Sequence, residues 1–281
     1  MMSKILACID DSAYIDHICH TSAWASQRTQ LPISLLHVLT PHSEVDATIN
    51  LSGAIGLGAK SDLLEELTEI DEERGKLEQR KGHLILEQAK ERLAIKGIAQ
   101  IIILHRRGDL VETVAELVSE DDIIIMGKGG TTHHFGAHLE PLAQTIHTPL
   151  MIVTREIQPI HCFLIAYDGS ISSQKIIDYA INNPLLKGLA CHLLQVNESR
   201  NQSETSLKQA EQKLKLAGFC VQASAKQGKS VNVIITDYIA ENSIDLLVMG
   251  AYGHSKIRRF ILGSTTTALM SNSNVPLLIL R

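Results

Sequence analysis

With 281 residues, a net charge of −5 and a pI near 6.2, the chain has the length of about two domains. Its longest basic block is Lys256–Arg259, too small an electrostatic footprint for a nucleic-acid binder. Its uninterrupted apolar runs are strand-sized, well short of a membrane span.

Met1-Met2-Ser3-Lys4 leads straight into an apolar run, leaving no room for a signal peptide, so a cytoplasmic location is expected. The run Ile5–Ile9 reads as a strand ending at Asp10-Asp11-Ser12, followed by a helical pattern with Ile15, Ile18 and Trp24. A second start of the same kind lies past the midpoint. Phe163–Tyr167 ends at Asp168-Gly169-Ser170 and leads into a helix with Ile176, Ile177 and Ala180 inward. At an offset of 158 residues Asp10 falls on Asp168 and Ser12 on Ser170. Second strands follow at Ile33–Leu39 and Leu189–Val196, and third strands at Ile101–Leu104 and Val221–Ala225. The third strands lead through Gly108 and Gly228 into helices near Leu110–Val118 and Val231–Glu241. Asp122–Met126 and Asp245–Met249 come next, each ending in Met-Gly, and each half closes on a strand after a proline, Leu150–Val153 or Leu277–Leu280. Alternating strands and helices imply parallel βαβ units. Strands apolar on both faces imply helices on both sides of the sheet. The chain therefore reads as a tandem duplication, residues 1–156 and 157–281, with a linker near Arg155–His161. Five cysteines, Cys8, Cys19, Cys162, Cys191 and Cys220, are odd in number, lack a CxxC pair and read as reduced, buried thiols.

The halves differ in two places. The first carries an insertion: a glycine-rich stretch, Pro41–Lys60, then a helical pattern over Ser61–Lys96 with Leu63, Leu64, Leu67, Ile70, Leu84, Ile85 and Leu93. Gly75 and Gly82 interrupt that pattern, and Asp71–Lys81 is a charged run that suits a solvated helix face ahead of a lid or a partner-binding helix. The second difference is the loop after each Met-Gly. Leu246–Met249 stops at Gly250, then come Gly253, a nine-residue excursion and Gly263-Ser264-Thr265 at the start of a helix. The spacing G-x2-G-x9-G-S suits an anion: glycines admit a ligand close to the backbone, and a helix start offers unpaired N–H groups and the positive end of its dipole. Lys256, Arg258 and Arg259 add positive charge. In the first half Gly127 and Gly130 remain. Aligning the prolines puts Gly136-Ala137 on Gly263-Ser264 with a shortened loop; aligning without a gap puts Glu140-Pro141 there. Both alignments disfavour a polyphosphate in that half. His133, His134 and His138 cluster in its loop without an obvious fourth ligand, so solvent-facing histidines are the simpler reading over zinc; His17 and His20 on the first helix read likewise.

The G-x2-G-x9-G-S spacing after a strand and before a helix resembles the nucleotide signature of the ATP-binding branch of the universal stress protein family, with all four fixed positions, Gly250, Gly253, Gly263 and Ser264, present. The duplicated pattern resembles the tandem members of that family. The resemblance implies two Rossmann-like α/β domains, each a five-stranded parallel sheet between helices, with a ligand at the carboxyl ends of the strands. It implies ATP, with or without magnesium, held in the second half. Gly250 and Gly253 would shape the turn beside the phosphates, and Gly263, Ser264 and Thr265 would offer N–H groups and hydroxyls. Val196 would meet the adenine edge through its backbone, and Met249 would either pack near the nucleotide or belong to the core. Asp168 would accept from a ribose hydroxyl, help hold a metal ion, or cap the following helix. No catalytic set is visible: Walker A is absent, and no G-x-G-x-x-G follows the first strand. The expected role is a regulatory or sensing module, as a monomer of tandem domains or a homodimer, with a protein partner; the alternatives are a slow nucleotide hydrolase and a nucleotide-independent scaffold or ligand-binding protein.

Overall fold

Strand and helix alternate along the chain, and the computed structural model describes residues 3–40, 57–129, 134–154, 158–197, 204–251 and 263–281. The first half runs β1 (Ile5–Cys8), α1 (Ile15–Thr29), β2 (Ile33–Leu39), α2 (Leu57–Ile95), β3 (Ile101–Arg107), α3 (Leu110–Leu117), β4 (Ile123–Gly127), α4 (His134–Thr145) and β5 (Leu150–Val153). The second runs β6 (Cys162–Tyr167), α5 (Ile171–Asn182), β7 (Ala190–Asn197), α6 (Glu204–Leu216), β8 (Val221–Gln227), α7 (Val231–Glu241), β9 (Leu246–Gly250), α8 (Ser264–Asn272) and β10 (Leu277–Leu280).

All strand pairs within each half are parallel, as in a doubly wound α/β fold. The halves are joined into one ten-stranded sheet, β3-β2-β1-β4-β5-β10-β9-β6-β7-β8. The join is the antiparallel pair β5–β10, with Leu277 opposite Ile152, Leu278 opposite Met151 and Ile279 opposite Leu150. These side chains are buried, so the halves share their hydrophobic layers. One layer lies under α1, α2, α5 and α6, with Ile18, Leu86, Ile176 and Ala210 among its members; the other lies under α3, α4, α7 and α8, with Val114, Leu142, Ile235 and Leu269. Charged side chains add ties across the join. Arg28 Nε donates to Leu185 O at 2.6 Å, and Lys128 Nζ donates to Ser273 O, at the C-terminus of α8, at 2.7 Å. A cation there complements the negative end of the helix dipole.

Each half also ties the start of its first strand to the residue before its fourth. Asp122, fully buried, accepts from Lys4 N at 2.8 Å, Ser119 N at 2.9 Å and Lys4 Nζ at 3.1 Å. Asp245 accepts from His161 N at 2.8 Å and Cys162 N at 2.9 Å.

The insertion of the first half is the lengthening of a shared element. Helix α2 has 39 residues, about 58 Å at the usual rise, where α6 in the same position has 13. Gly75 and Gly82 lie inside this helix without ending it. The stripe that packs on the sheet runs through Gly82, Ile85, Leu86, Ala89 and Leu93; Leu84, expected with them, is instead exposed, as are Ile70 and Leu77. The charged run is solvated as expected, with ion pairs Arg74–Glu78 and Lys76–Glu72 along the helix. The two glycines face opposite situations. A Cβ on Gly82 would meet His37 Cδ2 at 2.5 Å and His105 Nε2 at 2.7 Å, whereas one on Gly75 would meet nothing within 4 Å. His37 cannot easily yield, because its Nδ1 donates to Ile9 O at 2.8 Å. The same substitution should therefore have opposite signs. Gly75→Ala raises stability by about 0.5–1 kcal/mol, and Gly82→Ala lowers it by about 1–2 kcal/mol through overpacking. Urea unfolding of both variants checks this; equal effects would discard the close-approach explanation.

Candidate functional site

Strand register assembles the site of the second half. Tyr167 is opposite Gln195, and Ile165 is opposite Val248. The next residues along, Val196, Asp168 and Gly250-Ala251, thus leave adjoining strands at one level, the carboxyl edge where ligands of such sheets sit. Val196 and Asn197 run past the last paired residue of β6, flanked by Lys226 and Gln227 of β8 on their other side. Beside Val196 two buried amide oxygens, Gln195 Oε1 and Asn197 Oδ1, have no hydrogen-bond partner among the described residues. A buried acceptor left unpaired is costly, so this strand end lacks a donor.

At β6 the chain turns through Gly169, whose φ of +77° is left-handed. Asp168 Oδ1 accepts from Ser170 N at 2.9 Å, closing the turn, and Ser170 Oγ accepts from Ser173 N at 3.1 Å. The N-cap of α5 is therefore Ser170, not Asp168, which takes one of the readings of Asp168 away from it. Tyr167 beside it has its phenol pushed up, first by burial and then by the Asp168 charge.

The loop from β9 begins at Gly250 and returns at Gly263. Gly263 is the N-cap of α8 and has no side chain to cap with, so the first-turn amides of α8 carry no side-chain cap bond. Ser264 is exposed and Thr265 half-buried in that first turn. Thr266, which sequence reasoning passed over, fastens the turn to the strand: its Oγ1 donates to Gly250 O at 3.2 Å. Gly263 N donates to Ala251 O at 3.4 Å. The signature residues Gly250, Gly263 and Ser264 are thereby brought together. Gly253, Lys256, Arg258 and Arg259 lie outside the described residues. Met249 is buried in the second hydrophobic layer. An uncapped helix start beside a glycine strand end suits the phosphates of a nucleotide, and the unpaired acceptors beside Val196 suit a ligand N–H.

The first half is built differently at the same level. Tyr14, 158 residues before Ser172, is buried against Gly127: a Cβ on Gly127 would meet its Cβ and Cγ at 2.8 Å. The aromatic ring thus covers the glycine equivalent to Gly250. Helix α1 starts after Tyr14 without a side-chain cap, and Asp10 is tied to Ser12 through the Ser12 amide at 3.2 Å and its hydroxyl. Burial raises the Asp10 carboxyl, partly offset by those Ser12 bonds. Helix α4 starts at His134, so Gly136-Ala137 falls within it rather than at its cap, and Glu140-Pro141 lies deeper still. Gly130 and His133 lie outside the described residues. Among the described residues no group of metal-ligating side chains assembles, around His17 and His20 or elsewhere. Burial pushes the thiols of Cys8 and Cys191 up to about 12 and that of Cys19 to about 11, which leaves them inert at neutral pH. Cys162 is half-buried and Cys220 exposed, a departure from the expectation of uniformly buried thiols.

A doubly wound α/β unit, repeated within one chain and carrying a glycine–helix-start cleft in its second copy, defines the class. The family model described as "Universal stress protein family" matches residues 160–281. A universal stress protein of Synechocystis sp. is 34% identical over 288 residues, with 100% of both chains covered. The chain belongs to the universal stress protein family. In fold it is similar to a universal stress protein from Archaeoglobus fulgidus, with a TM-score of 0.64 and 19% identity over 99% of this chain and 96% of that one. It is likewise similar to a putative universal stress protein from Pseudomonas aeruginosa, with a TM-score of 0.58 and 16% identity over 100% and 93%. Among the described residues no helix is long and apolar enough to cross a membrane.

Proposed function

We infer that this protein binds ATP, with or without magnesium, in the cleft of its second half and works in the cytoplasm as a nucleotide-responsive regulatory module. One observation carries this reading: the uncapped start of α8 is fastened to the glycine end of β9 by Thr266, at the carboxyl edge of a parallel sheet. In it, Ser264, Thr265 and the first-turn amides of α8 hold the phosphates, Gly250 and Gly253 let them approach, and Val196 meets the adenine edge. Asp168 accepts from the ribose or steadies the metal. Residues 1–156 and 157–281 are the two domains, and the first, with Tyr14 over Gly127, does not take the nucleotide in the equivalent place. Pairing of the copies within one chain supports a monomer of tandem domains. Occupancy of the cleft alters the adjoining surface for a protein partner.

Thermal unfolding with and without millimolar Mg-ATP tests the reading. Ligand at a hundred times its Kd stabilises by about 2.7 kcal/mol, and no rise in melting temperature would refute it.

A further inference from the structure

A separate cleft among the described residues lies in the first half, away from Gly127, between α2 and the ends of β2 and β3. It encloses about 290 Å³ and is lined by Gly75, Glu78 and Gln79 of the helix above and by Leu39, Thr40, His105, Arg106 and Arg107 below. Its existence follows from the two glycines of α2. At Gly82 the helix touches down on the His37–His105 pair, whose ring centroids are 5.3 Å apart. Two turns earlier, at Gly75, there is no side chain to fill the space between helix and sheet. The gap opens at the carboxyl ends of parallel strands, where ligands of such folds gather, and its volume suits a small metabolite rather than a nucleotide.

The chemistry of the lining has a sign. The Arg107 side chain, on the same face of β3 as His105, makes no hydrogen bond or ion pair with a described residue; Arg106 projects to the opposite face, where its Nη1 donates to His105 O at 3.1 Å. Glu78, the acidic residue in the lining, is neutralised by Arg74, with 3.3 Å between Nε and Oε1. His105, where α2 descends, has its Nε2 buried and without a partner among the described residues. Gln79 and Thr40 add neutral hydrogen-bonding groups. The Arg107 guanidinium beside a neutralised carboxylate leaves the cleft net positive. A guanidinium binds carboxylate or phosphate oxygens in pairs, with its donors in a fixed fork.

We propose that this cleft binds a small multivalent organic or phosphate anion, with Arg107 holding its charged group and Gly75 providing the room. The site depends on the lengthened helix of the first half, which the second half lacks, and it is separate from the nucleotide cleft. The test uses the full chain carrying Gly263→Glu, which disables the nucleotide cleft and so keeps the two readings apart. Pyrophosphate and citrate, each at millimolar concentration and constant ionic strength, should raise the melting temperature where sodium chloride does not; the stronger of the two identifies the anion class. Arg107→Gln should weaken that binding at least tenfold. Gly75→Leu should do the same by filling the gap, with an unchanged circular dichroism spectrum, since a Cβ at Gly75 meets nothing within 4 Å. No response to either anion, or a response that survives both substitutions, overturns the proposal.

Discussion

Replacing Gly263 by Glu should abolish the ATP-dependent rise in melting temperature while leaving the unliganded protein at least as stable as before. The substitution is mild for the fold. Gly263 has φ −61° and ψ 142°, an extended conformation open to any residue. A carboxylate at the start of α8 interacts favourably with the helix dipole, by about 0.3–1 kcal/mol. For a polyphosphate the same carboxylate is a repulsive charge at the point where the first-turn amides converge. With ATP at a hundred times its Kd, the loss is the whole of about 2.7 kcal/mol, or roughly 5 °C in a protein of this size. Differential scanning fluorimetry of both proteins, with and without Mg-ATP, reads it directly. An undiminished shift in the variant would move the nucleotide elsewhere. Thr266→Val is a gentler companion: it removes the bond to Gly250 O while keeping the shape, so binding weakens without disappearing.

The largest loss of stability is expected from Asp122→Ala. The carboxylate is fully buried and accepts three hydrogen bonds, two from backbone amides and one from the Lys4 ammonium. Removing it strands those amides and leaves Lys4, whose side chain is only 17% exposed, with one remaining acceptor, Leu117 O. An uncompensated buried charge of this kind costs about 3–5 kcal/mol. That is a large share of a typical stability of roughly 5–15 kcal/mol. Asp245→Ala in the second half removes two amide bonds and no ion pair, so about 1–3 kcal/mol should be lost. Chemical denaturation measures both. A larger loss from Asp245→Ala than from Asp122→Ala would overturn the argument that the ammonium makes the difference.

Much of this architecture was legible in the chain. The 158-residue offset and the apolar strand runs identified two parallel α/β units because strands covered on both faces must be apolar throughout. The spacing Gly250 to Ser264 marked the cleft because a glycine strand end followed by an uncapped helix has a local signature. What escaped was non-local. Tyr14 covers Gly127 only because parallel pairing sets β1 beside β4, and its own segment reads as an ordinary helix start. Thr266 is by sequence one helical threonine among several, and only the fold sets its hydroxyl on Gly250 O. Gly75 and Gly82 argued against a continuous helix by propensity; contact with the sheet overrides propensity at Gly82 and leaves a hollow at Gly75. Leu84 is exposed where Ile85 is buried, because adjacent apolar residues on a long helix do not say which of them the sheet covers. Nothing in the sequence indicates that β5 and β10 pair, since an apolar edge strand does not name its neighbour.

That antiparallel pairing has a geometric consequence. Strands of the first half run against those of the second, so their carboxyl ends emerge at opposite rims of the sheet. The cleft beside Gly250 and the hollow beneath Gly75 therefore open away from each other, and occupants of the two cannot touch. Any influence of one upon the other has to cross the join, through β10 and β5 and the Arg28 and Lys128 ties beside them, as a change in the shared layers that both rims feel.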